Sequence, residues 1–316
     1  MQENKAGCSL CGGALREDAE RAGRLARCSA CGAWMTYPPP SDEELERAYA
    51  DWYRPDAGRF SGFGDSLLRR LRARLSIRLD AIAPPGPILD VGAGDGTLVD
   101  ALRDRGRDAV GLERQSSHPH VREGELDEVE GSWAAIVFWH SLEHLPQAGV
   151  ALEHAASILA PRGVLVVAVP NAASMQAALF GERWFALDLP RHLVHIPSRA
   201  LQKRIGELGL KVERVSYVRG GQVTFGWLHG FIGWLPGHPN LYDAIRRPEA
   251  RERPMSIGRR AFVLLAAAVL LPIALLCSAV EIACRRGGTV CVEARSPASS
   301  VRPPAESAGA TASYSA

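Results

Sequence analysis

Two histidine clusters and two cysteine pairs carry the side chains best suited to chemistry in this chain. His140, Glu143 and His144 stand together in "FWHSLEHLPQ", and Arg191, His192 and His195 in "DLPRHLVHI". An imidazole titrates near neutral pH, so either group can supply a general base that takes a proton from a hydroxyl or phenol. His140 and His192 are the candidate bases, with His144 and His195 beside them. Each cluster also has a structural reading. The first can cap a helix start and brace a loop, and the second can serve as a lid over a substrate. A metal-assisted arrangement with Glu143 and His144 among the ligands is a lesser alternative. The cysteines are plainer: Cys8-x2-Cys11 and Cys28-x2-Cys31 are separated by sixteen residues. Thiolates two residues apart can grip one tetrahedral ion, and two such pairs complete a four-cysteine zinc ribbon. A closed site of that kind has no open coordination position, which points to a structural or docking role rather than catalysis. Four unrelated reduced thiols are the bland alternative.

The elements that must position these groups begin at "ILDVGAGDGT", Ile88 to Thr97. A short apolar strand, Ile88 to Val91, meets a turn holding Gly92, Gly94 and Gly96. Helical spacing follows at Leu98 and Leu102, then "DAVGLER" gives a second strand ending in Glu113. Strand, glycine turn, helix and acid-ended strand form the nucleotide-binding half of a doubly wound sheet. The spacing is G-x-G-x-G rather than the dinucleotide G-x-G-x-x-G, and Asp90 precedes the turn. These features fit a cofactor without a pyrophosphate, and S-adenosylmethionine is the expectation. Glycines let the backbone approach its methionine part, Asp90 can attract its cationic end, and the two oxygens of Glu113 can accept both ribose hydroxyls. Further strands are expected at Ala135 to Trp139 and Val164 to Val169.

With these pieces in place the chain resembles the class I S-adenosylmethionine-dependent methyltransferases, and within them a bacterial group with an N-terminal four-cysteine ribbon. The resemblance is carried by "CSLCGG", "RCSACG", "PPPSDEEL", "ILDVGAGDGT", "FWHSLEHLPQ", "RGVLVVAVPN" and "DLPRHLVHI", over roughly residues 8 to 218. It implies a Rossmann-like α/β fold with a seven-stranded sheet whose last strand is antiparallel. It implies Asp90, Gly92, Gly94 and Gly96 at the methionine end of the cofactor, Glu113 on the ribose, and Glu125 and Leu126 facing the adenine. The sequence departs from the family in two places. Ala134 stands where an acid usually precedes the fourth strand, and the third strand is hard to see between His118 and Glu125.

The rest of the 316 residues frames this core. Residues 1–40 read as the ribbon and 41–87 as a linker and helical lid, with a capping box at Ser41 and Glu44 starting a helix near Asp42. From Asp65 to Ile82, Leu67, Leu71, Leu75 and Leu79 form a stripe among arginines. It suits a helix packed on the sheet, or a basic amphipathic helix on anionic lipid. Residues 88–219 are the core, 287–296 the last strand ("GGTVCVEAR"), and 297–316 a small, polar tail read as disordered. Between them, 220–286 form an apolar insert. Ala261 to Val280 is uncharged throughout and about 30 Å long as a helix, enough to reach across a bilayer core. Pro272 is expected to break it into two short helices, favouring a re-entrant or interfacial membrane contact over a single span. Trp227, Phe231 and Trp234 are candidate interface anchors, or else a substrate-pocket wall. A net charge of +2 and the lack of a base-holding Asn-Pro-Pro-Tyr-type motif speak against nucleic acid. No basic stretch followed by an apolar run opens the chain, and the expected compartment is the cytoplasm, at the inner membrane face. The expected activity is O-methylation of a small, lipid-linked or glycosyl acceptor. A non-catalytic scaffold on the same fold is the alternative.

Overall fold

The computed structural model describes residues 7–17, 24–49, 73–218 and 221–298. Three short strands, β1 (Leu15–Glu17), β2 (Leu25–Cys28) and β3 (Trp34–Thr36), form the N-terminal sheet. Helix α1 (Asp42–Ala48) starts at the foreseen capping box, with Ser41 Oγ accepting from Glu44 N–H and Glu44 Oε2 from Ser41 N–H. A helix over 73–82, α2, buries Leu75 and Leu79 against the sheet, which is the packed rather than the lipid-bound reading. Leu67 and Leu71 of the same stripe lie outside the described residues.

The main sheet has seven strands. In chain order they are β4 (Ile88–Val91), β5 (Ala109–Glu113), β6 (Val121–Glu123), β7 (Trp133–Trp139), β8 (Leu159–Pro170), β10 (Lys211–Ser216) and β11 (Thr289–Arg295). A further two-residue strand, β9 (Val194–His195), lies outside it. The order across the sheet is β10-β11-β8-β7-β4-β5-β6. The β7–β4–β5–β6 and β7–β8 pairs are parallel, while β11 runs antiparallel between β8 and β10. This is the doubly wound, Rossmann-like α/β architecture foreseen. Successive residues face opposite sides of a pleated sheet. Ile88, Ala135 and Val137 therefore pack with α2 and α3 (Thr97–Arg103) on one side. Leu89, Ile136 and Phe138 pack on the other with α4 (Ala148–Ser157) and α6 (Ser198–Glu207). The strand missed between His118 and Glu125 is β6, an edge strand of three residues in which only Val121 is buried. Ala134 lies inside β7, 1% exposed, rather than before it.

The ribbon is joined to this body. β9 pairs with β3, His195 opposite Trp34 and Val194 opposite Met35, so the small sheet reads β1-β2-β3-β9. Leu10, Ala33 and Met35 share one buried cluster with Leu152, Val194 and Leu201.

The insert after β10 departs from expectation. Helix α5 (Met175–Phe180) follows β8, and α7 (Gln222–Gly233) and α8 (Leu241–Ile245) lead to α9 (Ile257–Ala283), one continuous helix with Pro272 inside it. Pro272 does not split the segment. It lies on the exposed side, away from the buried seam of Val263, Ala274 and Ser278, and removes only one intrahelical donor. Trp227 is not an interface anchor either. It is 4% exposed, packs edge-on to Phe180, and donates through Nε1 to Glu281 Oε2 at 2.9 Å. Phe231 joins that ring cluster, whereas Trp234 is 47% exposed. Among the described residues α9 is the one helix long and apolar enough to cross a membrane. Phe262, Leu265, Val269, Ile273 and Leu276 lie exposed along it.

Candidate active site

The carboxyl ends of β4, β5, β6 and β7 lie side by side, with Val91 paired to Leu112 and Phe138, and Glu113 to Glu123. In an open α/β sheet this edge is where ligands bind. The turn after β4 needs glycine on steric grounds. Gly92 has φ +78°, and a Cβ there would lie 2.4 Å from Ser141 Cβ. Gly96 has φ +72°, and a Cβ there would meet the His118 ring at 2.7 Å. The turn is therefore a bare backbone cradle, ending in the N-terminus of α3.

Acids surround it. Asp90 is 1% exposed on β4. Glu113 closes β5, and its Oε2 accepts the Gly94 N–H at 2.9 Å. The carboxylate thus stands at the turn while remaining partly exposed. A donor set of backbone amides, a buried acid and a reachable carboxylate suits a cationic, ribose-bearing cofactor. Just beyond β6, Glu125 begins a single 3-10 turn whose first residue, Leu126, is buried. Both stand at the same sheet edge as the glycine turn. His118 was missed by sequence reasoning: it packs over Gly96, with Nε2 3.1 Å from Asp100 Oδ2.

The loop after β7 forms the adjoining wall. His140 has φ +57°, an uncommon conformation for a residue with a side chain. Its N–H donates to Ala168 O, and Ser141 Oγ donates to Val91 O, which ties the loop to β8 and β4. The chain then makes a 3-10 turn, Leu142–His144, and not the start of an α-helix. Glu143 is 2% exposed, and its Oε1 lies 3.2 Å from His140 Nδ1. Burial pushes the Glu143 carboxyl up, but the His140 hydrogen bond and the positive field of His140, His192 and His144 outweigh it and hold the group at about 2. Burial, then the His192 charge, lowers His144 to about 4.

The second histidine cluster closes over the first. Leu193 N–H donates to Glu143 O, and the His144 and His192 rings stand 4.7 Å apart, edge to face. His192 is 8% exposed, with Nδ1 2.8 Å from Ala186 O. His195 is 3% exposed inside β9, with Nε2 3.4 Å from Thr36 Oγ1, a position that serves the ribbon junction. Two residues outside the foreseen set complete the wall. Tyr49 Oη lies 2.9 Å from His144 Nδ1. Asp188 holds the Arg191 guanidinium through both oxygens, and its Oδ2 lies 3.7 Å from His192 Nε2. Asp188 was legible as part of "DLPRHLVHI"; nothing local marked Tyr49.

Away from this edge, Cys8, Cys11, Cys28 and Cys31 converge, with Sγ atoms all within 4.8 Å of one another. The Cys8–Cys31 and Cys11–Cys28 Sγ separations are 3.7 and 3.6 Å. Thiolates at about 2.3 Å from a tetrahedral zinc stand about 3.8 Å apart, so the cluster fits that ion.

Residues 60–215 match the family model of a methyltransferase domain. No curated protein sequence matches the chain significantly. Solved structures similar to it include a SAM-dependent methyltransferase from Archaeoglobus fulgidus, 14% identical, covering 72% of this chain and 94% of that one, TM-score 0.44. A putative methyltransferase from Bacillus halodurans is 13% identical, covers 71% and 98%, and has TM-score 0.43. Magnesium protoporphyrin IX methyltransferase from Synechocystis is 16% identical, covers 55% and 86%, and has TM-score 0.39.

Proposed function

We propose that this chain, a methyltransferase by the domain it carries over residues 60–215, uses S-adenosylmethionine to methylate an oxygen of a small, lipid-linked or glycosyl acceptor. One observation carries the reading: Gly92 packs directly on Ser141, so the cofactor turn and the His140 loop are adjoining walls of one site. When bound, S-adenosylmethionine supplies a methyl group on a cationic sulfur. Gly92, Gly94 and Gly96 admit its methionine part to the backbone, and Asp90 provides opposite charge. Glu113 accepts the ribose hydroxyls, and Glu125 and Leu126 border the adenine. His140 takes the acceptor's hydroxyl proton. Glu143 accepts at its Nδ1, which leaves Nε2 as the basic nitrogen. His192 stands by as the alternative base, with Nε2 as its basic nitrogen because Nδ1 donates to Ala186 O.

The four cysteines hold a structural zinc in this account, supported by their sulfur spacing. The ribbon braces the lid through the β3–β9 pairing. A membrane-facing acceptor is supported by α9, whose apolar side is exposed between Arg259, Arg260 and Arg285, Arg286. The contact is interfacial rather than spanning. β10 and β11 are neighbours in one sheet, and the outbound α7 has only twelve residues, about 18 Å. The Arg260 end of α9 is also tied to polar structure, its Nε donating to Ala244 O.

The test is incubation of the chain with methyl-labelled cofactor and cell extract, then location of the label in lipid, glycan, protein or nucleic acid. Label in a lipid or glycan hydroxyl, lost in His140→Ala, is the expected result. Turnover undiminished in both His140→Ala and His192→Ala removes the proposed base. Cofactor binding without transfer to any fraction favours a scaffold instead.

A further inference from the structure

Glu143, His144 and His192 carry more polar capacity than a proton transfer needs. Glu143 Oε1 serves His140, but Glu143 Oε2 is buried and has no hydrogen-bond partner. An orphaned carboxylate oxygen in the interior is a standing cost unless a cation faces it. Both histidines set a backbone carbonyl against Nδ1, and Tyr49 Oη, 2.9 Å from His144 Nδ1, can accept from the same N–H. His144 Nδ1 lies 2.9 Å from Arg191 O, and His192 Nδ1 lies 2.8 Å from Ala186 O. A backbone carbonyl only accepts, so both Nδ1 atoms carry protons and both Nε2 atoms carry lone pairs. Metal-binding imidazoles are held in this manner, with the far nitrogen donating to a carbonyl that fixes ring and tautomer. One donor atom each from Glu143, His144 and His192 lies within 4.8 Å of the others. Ligands at about 2.1 Å from one ion stand roughly 3 to 4 Å apart, so side-chain adjustments of an ångström or less close the set. Asp188 Oδ2, already held by Arg191, lies 3.7 Å from His192 Nε2, beyond hydrogen-bond reach.

We propose that Glu143, His144 and His192 form a second metal site, separate from the four cysteines, that takes a divalent first-row cation. Two imidazoles and a carboxylate suit manganese, iron, cobalt or zinc better than calcium. Three protein ligands leave positions open, unlike the closed thiolate site. Glu143 and His144 share their loop with His140, directly beside the glycine turn, and an open position on the ion would be available to an oxygen of the acceptor. With the ion held, His192 Nε2 is a ligand and the base is His140; the cation would lower the pKa of a bound hydroxyl and ease its deprotonation by His140. That last role rests on the methyltransferase reading; the binding of the ion does not.

The probe is Mn²⁺, which thiolates bind poorly. The full chain is dialysed against a chelator until one zinc remains, then titrated with Mn²⁺ while the free ion is followed by electron paramagnetic resonance. One bound Mn²⁺ per chain is expected. Glu143→Gln and His192→Ala should each weaken it at least tenfold. A second zinc that resists dialysis in the parent chain but not in Glu143→Gln supports the site equally. Retained binding of S-adenosylhomocysteine shows that the variants are folded. A parent chain that holds one zinc and binds no Mn²⁺ at millimolar levels overturns the proposal. So does a second ion whose binding survives both variants. Mn²⁺ binding without methyl transfer would keep the site and sink the enzymatic reading; transfer without a second ion would do the reverse.

Discussion

Gly92→Ala tests how tightly the cofactor turn and the histidine loop are built together. The new Cβ would lie 2.4 Å from Ser141 Cβ. Two carbons rest about 3.5–4.0 Å apart, so one wall must retreat by more than about 1 Å. That retreat breaks the buried hydrogen bond from Ser141 Oγ to Val91 O, at a cost of about 1–3 kcal/mol. The left-handed backbone at φ +78° adds about 1 kcal/mol for any residue with a side chain. The sum is about 2–4 kcal/mol, with S-adenosylhomocysteine affinity falling at least about tenfold as the backbone cradle shifts. Ser141→Gly alone loses the hydrogen bond but also removes the obstructing carbon. The double variant should therefore be more stable than the two single losses added together, by about 1 kcal/mol or more. Thermal melts and calorimetric titration of the four proteins measure both quantities. Strictly additive losses would refute the direct contact between the two walls.

Three further outcomes follow from buried polar groups. Burial beside the Phe185 ring, 4.8 Å away, lowers His229 to about 4, so the folded chain keeps it neutral where the unfolded chain takes up a proton. Its contribution is complete above pH 6.5 and lost as pH falls towards 4, about 3 kcal/mol in all. His229→Phe should flatten the stability profile across that window, and an unchanged slope would count against the assignment. Glu281 accepts from Gln176 N–H, Gln176 Nε2 and Trp227 Nε1 at 3.0, 2.8 and 2.9 Å. A glutamine amide would turn a donor towards one of them, so Glu281→Gln should cost about 1–3 kcal/mol; an unmoved melting temperature contradicts this. Cys28→Ser should remove one zinc per chain by elemental analysis and expose the β3–β9 junction to limited proteolysis. An unaltered cleavage pattern would show that the four-cysteine unit does not brace β9.

Much of the core was legible because parallel strands buried on both faces read as unbroken apolar runs. β4, β7 and β8 have that character, and the glycine spacing marked the turn between β4 and α3. β6 was hidden because an edge strand buries little, here Val121 alone. β9 was hidden for a different reason. Two residues carry no periodicity, and Val194 and His195 owe their strand to Trp34 and Met35, remote in sequence. Pro272 misled because a proline's local effect was weighed without the long helix that absorbs it. The aromatic residues of α7 misled because their partners, Phe180 and Glu281, come from two other helices. The site residues nearest the glycine turn were named from spacing, but their pairing was not: that Glu143 lies among three histidines at once depends on the 188–195 segment folding back over the β7 loop.

The central claim is that the loop leaving β4 binds S-adenosylmethionine with Glu113 on its ribose. Isothermal titration of the purified, zinc-loaded chain with S-adenosylhomocysteine tests it directly. One molecule should bind per chain, and Glu113→Ala should weaken binding about tenfold or more without altering the circular dichroism. Absence of binding at millimolar ligand, or affinity untouched by Glu113→Ala, would contradict the account.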